Sequence, residues 1–94
     1  MIYMHCQVRF EDFDRWKASM DADAAAQHAA GIHLKQMWRG IENPNIAFFV
    51  LEVDDMDRAR EFLAPDAVAK AEAEAGASDF QYFFVERIEL HQVA

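Results

Sequence analysis

Two side chains in the sequence have types and positions that could support acid–base chemistry, His5 and Glu52. His5 lies in an alternating segment, Ile2 to Phe10, and shares its polar side with Gln7. Imidazole titrates near neutral pH, so His5 could act as a general base while Gln7 orients a ligand. Glu52 interrupts an apolar segment on the side of Phe48, and a carboxylate among apolar groups can act as an acid or a base. We therefore predict His5 and Glu52 as catalytic residues and Gln7 as a ligand-binding residue.

Each of these roles has a structural alternative. His5 could instead be a hydrogen-bonded histidine at a subunit interface. Glu52 could be solvated at the end of its strand, or it could pair with Arg9, Arg39 or Arg87.

Aromatic side chains could supply the walls of a pocket for a flat, apolar molecule. Trp38 and Arg39 would provide an aromatic surface and an anchor for an anion. Phe48 and Phe84 lie in two strongly apolar segments and would form the opposite walls. We predict Trp38, Phe48 and Phe84 as ligand-binding residues. The alternative for Trp38 is packing against a helix or a neighbouring subunit.

The other histidines, the glycines and the cysteine indicate neither a metal nor a cofactor. His28 and His33 bracket the end of a predicted helix, but the sequence contains no H-x-x-x-H, C-x-x-C or H-E-x-x-H spacing. The three glycines are too far apart for a phosphate-binding loop. Cys6 has no second cysteine to pair with, and it lies on the apolar side of its strand. We expect no metal and no cofactor.

The composition favours one globular domain, residues 1–94, with 53% apolar residues and eight phenylalanines. A formal net charge of −8 disfavours nucleic acid and anionic membranes as partners. The sequence has no apolar run near the roughly 18 residues of a membrane span and no basic region followed by an apolar stretch at its start. We expect a cytoplasmic protein.

Hydrophobic periodicity and turn chemistry predict four strands and two helical regions. Asp12 is expected to cap the first helix, Gly31 and Gly76 to end helices in the left-handed conformation, and Pro65 to break the second helical region. The predicted order is a strand Ile2–Phe10, a helix Glu11–Ala30, a strand Ile32–Arg39, a turn Gly40–Asn45, a strand Ile46–Val53, a helix that Asp54 or Asp55 caps and Pro65 ends, a helical segment Ala67–Ala75 and a strand Phe80–Leu90.

The third predicted strand, Ile46–Val53, is apolar on both sides, so both faces of its sheet need cover. Right-handed crossovers and hairpin pairing predict a four-stranded antiparallel sheet of order 4-1-3-2 with helices on one face. This is a ferredoxin-like α+β sandwich. Its other face would expose Phe48 together with Tyr82 and Phe84, a larger patch than soluble monomers usually tolerate. We therefore predict a homodimer.

Three segments resemble the dimeric α+β barrel superfamily. They are V-R-F-E-D-F-D-R-W-K after the first strand, the hairpin R-G-I-E-N-P-N, and F-F-V-L-E-V-D-D-M-D-R-A-R-E-F-L-A-P before the alanine-rich segment. The branch that they resemble contains small proteins related to antibiotic-biosynthesis-type monooxygenases. The resemblance covers nearly the whole chain and implies two sheets that face each other across a dimer axis. Its motifs are caps, a turn and a helix stripe, which identify a fold better than a reaction.

Two functions remain open at this point. In the first, the dimer encloses a largely apolar pocket between the sheet faces for a small aromatic or polyketide-like ligand. The resemblance then implies cofactor-independent oxygenation, isomerisation or cyclisation. In the second, aromatic side chains fill the barrel, and the protein is a non-catalytic dimerisation or stress-associated module. A haem site is not expected, because Gln7, Trp38 and His28 do not reproduce the arrangement that the haem-degrading branch requires.

Overall fold

The computed structural model describes residues 1–91, which form four strands and three helices. They are β1 (Ile2–Phe10), α1 (Phe13–Ala29), β2 (Ile32–Arg39), β3 (Ile46–Val53), α2 (Met56–Phe62), α3 (Pro65–Ala75) and β4 (Ala77–Glu86). All strand pairs are antiparallel, and the strands lie in the order β2-β3-β1-β4. This is the predicted order read from the opposite edge, so the ferredoxin-like α+β fold is confirmed. The apolar β3 lies in the interior of the sheet, and β2 forms an edge, as predicted.

The helices begin and end at residues whose chemistry suits those positions. The Asp12 carboxylate accepts the backbone N–H groups of Asp14 at 2.9 Å and Arg15 at 3.3 Å, which confirms the predicted cap of α1. Asp55 caps α2 in the same way, and Pro65 occupies the first turn of α3. None of the helices within residues 1–91 combines the length and hydropathy that crossing a membrane would require.

The core lies between the three helices and one face of the sheet. Trp16 of α1 is 3% exposed, and its ring centroid lies 5.1 Å from Phe10 and 6.0 Å from Phe49. Phe13 and Met20 of α1 also pack against this core, whereas Ala24, one helical turn further on, is exposed. The buried side chains are Met4, Cys6, Val8, Phe10, Trp16, Ile32, Ala47, Phe49, Leu51, Val53, Ala59 and Ala75.

The last strand differs from its prediction in both extent and phase. It spans Ala77–Glu86 and not Phe80–Leu90, because its partner β1 begins at Ile2, opposite Glu86, and offers no backbone groups beyond that point. Tyr82 is paired with Cys6, so it lies on the face that the helices cover. The predicted phase was therefore wrong by one residue. β4 carries aromatic side chains at both alternating positions, such as Tyr82 and Phe83, so periodicity alone could not decide which of them face the core.

Candidate functional site

The face of the sheet that no helix of residues 1–91 covers is called the open face. Residues paired across antiparallel strands project from the same face, so the register places the predicted site residues relative to one another. Five of the six lie on the open face, in three rows that cross the sheet. The rows are Trp38-Phe48-Gln7-Gln81, Gln36-Val50-His5-Phe83 and His33-Glu52-Tyr3-Val85.

His5 and Gln7 project from the open face as the alternation of β1 predicts. His5 is exposed and lies between its register partners Val50 and Phe83, both apolar. The Gln7 amide donates to the Gln81 side-chain oxygen at 3.3 Å. An exposed imidazole flanked by apolar side chains has the freedom to contact a ligand or a second subunit, and its catalytic role stays a prediction.

Glu52 lies on the open face but is not isolated among apolar groups. Its carboxylate oxygen lies 3.6 Å from the Lys35 ammonium nitrogen, a partner that the sequence did not suggest. A β-bulge between Leu34 and Gln36 brings Lys35 into reach. Glu52 belongs to a different row from His5, so the structure does not assemble the two predicted catalytic residues as register partners.

Phe84 is the predicted site residue that the structure places on the other side of the sheet. It pairs with Met4, and the Arg60 guanidinium carbon of α2 lies 5.2 Å from its ring centroid. Phe84 therefore cannot wall a pocket on the open face. Phe83, 61% exposed, occupies the position expected for it.

The open face carries large apolar side chains and a shallow depression. Trp38 is 48% exposed and Val85 is 40% exposed. The depression has a volume of about 650 Å³. It is lined by Tyr3, Lys35, Gln36, Val50, Glu52, Val85, Glu86 and Arg87.

Cys6 lies on the helix-covered face and is 1% exposed. Burial raises the pKa of its thiol from 9.0 to about 12, because the thiolate would lose its hydration there. Cys6 is therefore not a nucleophile in the folded protein. Within residues 1–91, no three side chains of the metal-ligating types come close enough together to hold a metal ion.

A second concavity lies between α1, α3 and the helix-covered face of the sheet; we call it the interhelical cleft. Its volume is about 430 Å³, within the range of about 300–1,000 Å³ typical of small-molecule sites. The floor is apolar and comes from the sheet, and small alanines of α3 line one wall. The apolar lining residues are Val8, Trp16, Met20, Ala26, Ile32, Phe49, Leu51, Phe62, Leu63, Ala67, Val68, Ala71, Ala75, Ala77 and Phe80.

Three of the four charged side chains that line the interhelical cleft are acidic. Asp23 comes from α1, and Glu72 and Glu74 come from α3, against the single cation Lys70. The Glu72 carboxylate also accepts the backbone N–H of Phe80 at 3.4 Å, which ties α3 to β4. This cleft therefore offers an apolar interior with a negative potential at its rim.

Sequence reasoning missed the interhelical cleft because no single segment forms it. The pattern of β3 places Phe49 on the helix-covered face, whereas Phe80 belongs to β4, whose phase was predicted wrongly. The gap above them depends on how far α1 and α3 lie apart, and helical periodicity does not give that distance. The one available signal was the number of alanines on both helices, which leave space where larger side chains would fill it.

Comparisons with known proteins support the fold and leave the reaction open. No family model matches the chain, and the search of curated proteins finds no match. Among solved structures, a proposed antibiotic biosynthesis monooxygenase from Deinococcus radiodurans superposes with a TM-score of 0.65 at 15% identity, over 100% of this chain and 99% of that one. SnoaB, a cofactor-independent oxygenase from Streptomyces nogalater, superposes with a TM-score of 0.58 at 17% identity, over 95% of this chain and 94% of that one. An uncharacterised NIPSNAP domain protein from Burkholderia xenovorans superposes with a TM-score of 0.65 at 12% identity, over 99% of this chain and 100% of that one.

These neighbours share the ferredoxin-like α+β fold of this chain, and they include proteins of the kind that the sequence resembles. At 11–17% identity the likeness of the monooxygenases concerns the fold alone.

Proposed function

We propose that this protein binds a small apolar or aromatic molecule in the interhelical cleft. The observation that carries the proposal is the cleft itself, about 430 Å³ of space above a floor that includes the sheet residues Phe49 and Phe80, with Trp16 of α1 also in its lining. Native cores are packed to a density that leaves few voids larger than a water molecule. A ligand that covers this much apolar surface stabilises the folded state, because it removes that surface from water.

The charge at the rim sets the ligand's chemistry. Asp23, Glu72 and Glu74 outnumber Lys70, and the whole chain has a formal net charge of −8. An anionic ligand would meet a repulsive potential on entry, whereas a neutral phenol or hydroquinone would not. The proposed ligand is therefore a neutral aromatic or polyketide-like molecule.

We also propose that a second copy of this chain covers the open face. Trp38, Phe48 and Phe83 would then pack against the partner's sheet, and His5 and Gln7 would lie at the interface. A standard interface buries about 800 Å² on each partner, and a four-stranded sheet can supply a surface of that order. Association in this way removes the half-exposed aromatic side chains from water.

The space between two such sheets is a second candidate ligand site. The depression beside Tyr3, Val50 and Glu52 favours it, since a partner's sheet would enclose it. In that arrangement Trp38 and Phe48 would contact the ligand, with His5 and Glu52 as its acid–base groups. A ligand bound there would depend on His5, whereas a ligand in the interhelical cleft would not.

The experiment measures binding of 2-naphthol and 1,4-naphthohydroquinone by thermal shift and calorimetry. Ala71→Leu places a larger side chain into the cleft, and Ala69→Leu is the matched control on the exposed side of α3. At about 100 times its Kd, a ligand stabilises the folded state by about 2.7 kcal/mol. We expect Ala71→Leu to weaken binding about tenfold or more and Ala69→Leu to leave it unchanged.

The outcomes separate the alternatives. Binding that survives Ala71→Leu and is lost in His5→Ala moves the ligand to the space between the sheets. No binding by either variant or the wild type contradicts the proposal and favours the non-catalytic dimerisation module. Oxygen uptake above that of the free hydroquinone, measured with an electrode, would add cofactor-independent oxygenation to binding; uptake equal to it would leave a binding protein.

A further inference from the structure

Three side chains, from the end of α1 and the ends of β2 and β3, form a continuous hydrogen-bonded network at the β2 edge of the sheet. His28, in the last turn of α1, places its Nδ1 atom 2.8 Å from the Nδ1 atom of His33 at the start of β2. The Nε2 atom of His33 lies 3.0 Å from a carboxylate oxygen of Asp54, directly after β3. The two imidazole rings meet edge to face, with centroids 4.6 Å apart. These contacts join the end of α1 to two strands.

When both imidazole rings are neutral, the hydrogen-bond donors and acceptors determine which ring nitrogen atoms of His28 and His33 carry a hydrogen. A carboxylate can only accept, so the Nε2 atom of His33 must carry a hydrogen and donate it to Asp54. The Nδ1 atom of neutral His33 then has a free lone pair and accepts. His28 must therefore carry its hydrogen on Nδ1, which leaves its own Nε2 atom as an acceptor without a role in the chain.

The same count limits how many protons the chain can take up. A first added proton can bind the Nε2 atom of His28, and the Nδ1–H of His28 still donates to His33. The negative end of the α1 dipole favours a positive charge at that position. A second proton would have to bind the Nδ1 atom of His33, where two N–H groups would then face each other at 2.8 Å.

We propose that His28, His33 and Asp54 form a pH-dependent clasp that holds the end of α1 against the sheet, stays closed with one added proton and opens with two. The clasp lies next to the interhelical cleft, since Ala26 and Gln27 immediately before His28 line that cleft. Acidification therefore loosens the end of α1 at the cleft.

The surrounding groups favour the ionised form of Asp54. The hydrogen bond from His33 lowers the pKa of Asp54, and the charges of His33, Arg58 and His28 act in the same direction. The Arg58 guanidinium of α2 also donates to the Ala29 carbonyl at the end of α1. Glu52, the register partner of His33, is paired with Lys35 and adds little net charge.

The stability consequence has a definite sign. Below about pH 6.5 the unfolded chain binds a proton on each of the two imidazoles, because that is the ordinary pKa of histidine. The folded protein, with the clasp closed, binds only one added proton on these two imidazoles. Since the unfolded state then holds more protons than the folded state, stability falls as the pH decreases below that value. Without His28, the Nδ1 atom of His33 is free to take up a proton beside Asp54, and acidification becomes stabilising at this site.

The test compares thermal unfolding of the wild type, His28→Asn and His91→Gln between pH 7 and pH 5. His91 is exposed outside the strands and helices, so its replacement removes a histidine without touching the clasp. We expect the wild type and His91→Gln to lose about 4–8 °C more than His28→Asn over this range, the shift that a roughly fivefold change in the unfolding equilibrium gives a domain of this size. Equal pH dependence in all three proteins would overturn the proposal.

Long-range proton–nitrogen NMR of the wild type provides a readout independent of any variant. At pH 8 we expect the hydrogen of His28 on Nδ1 and that of His33 on Nε2. At pH 5.5 the folded protein should show one doubly protonated imidazole shared by the pair. Two doubly protonated rings with an intact hydrogen bond pattern at the end of α1, or the opposite tautomers at pH 8, would contradict the clasp.

Discussion

The two faces of the sheet carry similar side chains in different surroundings. On β3, Phe49 is 3% exposed beneath the helices, while Phe48 and Val50 on either side of it are half-buried on the open face. On β4, Phe83 is 61% exposed on the open face, while Phe84 next to it lies under α2. Neighbouring residues of the same type therefore differ in burial only because of which face they point to.

This comparison shows that an apolar sequence indicates that a sheet face must be buried, but it does not indicate which part of the protein or which partner buries it. The chain's own helices cover one face, and the alternation of burial along β3 follows from that. The open face keeps Trp38 and Phe83 accessible, although β3 is apolar there through Ile46, Phe48 and Val50. We propose that a second copy of the chain buries the open face, and three experiments test whether the two faces differ as described.

The largest expected effect is the loss of a core ring. Phe49→Ala removes a side chain that packs against Trp16 and Phe80, and we expect it to lower the free energy of unfolding by about 3–5 kcal/mol. Phe83→Ala is the matched change on the open face and should cost within about 0.5 kcal/mol where monomers predominate. Urea denaturation at low protein concentration measures both. Equal losses would show that the two faces do not differ as described.

The second effect concerns thiol chemistry on the covered face. Because the pKa of Cys6 is about 12 against 9.0 for a free thiol, its thiolate fraction at pH 8 is about 1,000-fold lower, and iodoacetamide should react more slowly in proportion. The raised pKa also stabilises the fold below pH 9, and this contribution is lost as the pH rises from 9 towards 12.

The control for Cys6 moves the thiol to the other face. In Cys6→Ala/His5→Cys, the new thiol projects from the open face and should react like a free cysteine in dilute solution. Reaction should slow as the protein concentration rises, if a second copy covers that face. Fast alkylation of Cys6 in the folded wild type would contradict its burial.

The third and smallest effect is on self-association. Phe83→Ala removes an exposed ring from the open face of each copy, and we expect the dimer to dissociate at least about tenfold more readily, since burying a phenylalanine contributes about 1.5–3 kcal/mol. Sedimentation equilibrium gives the constant. Ile41→Ala is the control, because Ile41 is 97% exposed in the turn between β2 and β3 and lies off the open face. If the wild type is monomeric at micromolar concentration, the proposal that a second copy covers the open face is wrong.

Local rules predicted most of the fold. Asp12 caps α1 because a carboxylate can reach the free N–H groups of its own first turn, and Pro65 separates α2 from α3 because it cannot continue a helix. The left-handed conformation of Gly76 ends α3 as expected. These choices depend on neighbours within about four residues, so they can be seen in the sequence.

The candidate site was predicted less completely. The alternation of β1 placed His5 and Gln7 on the open face correctly, because polar and apolar residues differ there. It could not place Phe84, since β4 is aromatic on both sides and only the pairing of Cys6 with Tyr82 decides its phase. The partner of Glu52, Lys35, depends on a bulge that no pattern in the sequence indicated.

The sequence alone predicted the positions of the first three strands and of the helices, the order in which the strands pair and the apolar character of β3 on both of its sides, because hydrophobic period and cap chemistry are local properties of the chain. Only the tertiary structure decided which phenylalanines are buried, how wide a gap α1 and α3 leave, and that His28, His33 and Asp54 meet. Those outcomes depend on distances between segments that lie far apart in the chain, which side-chain packing sets and one-dimensional patterns do not record.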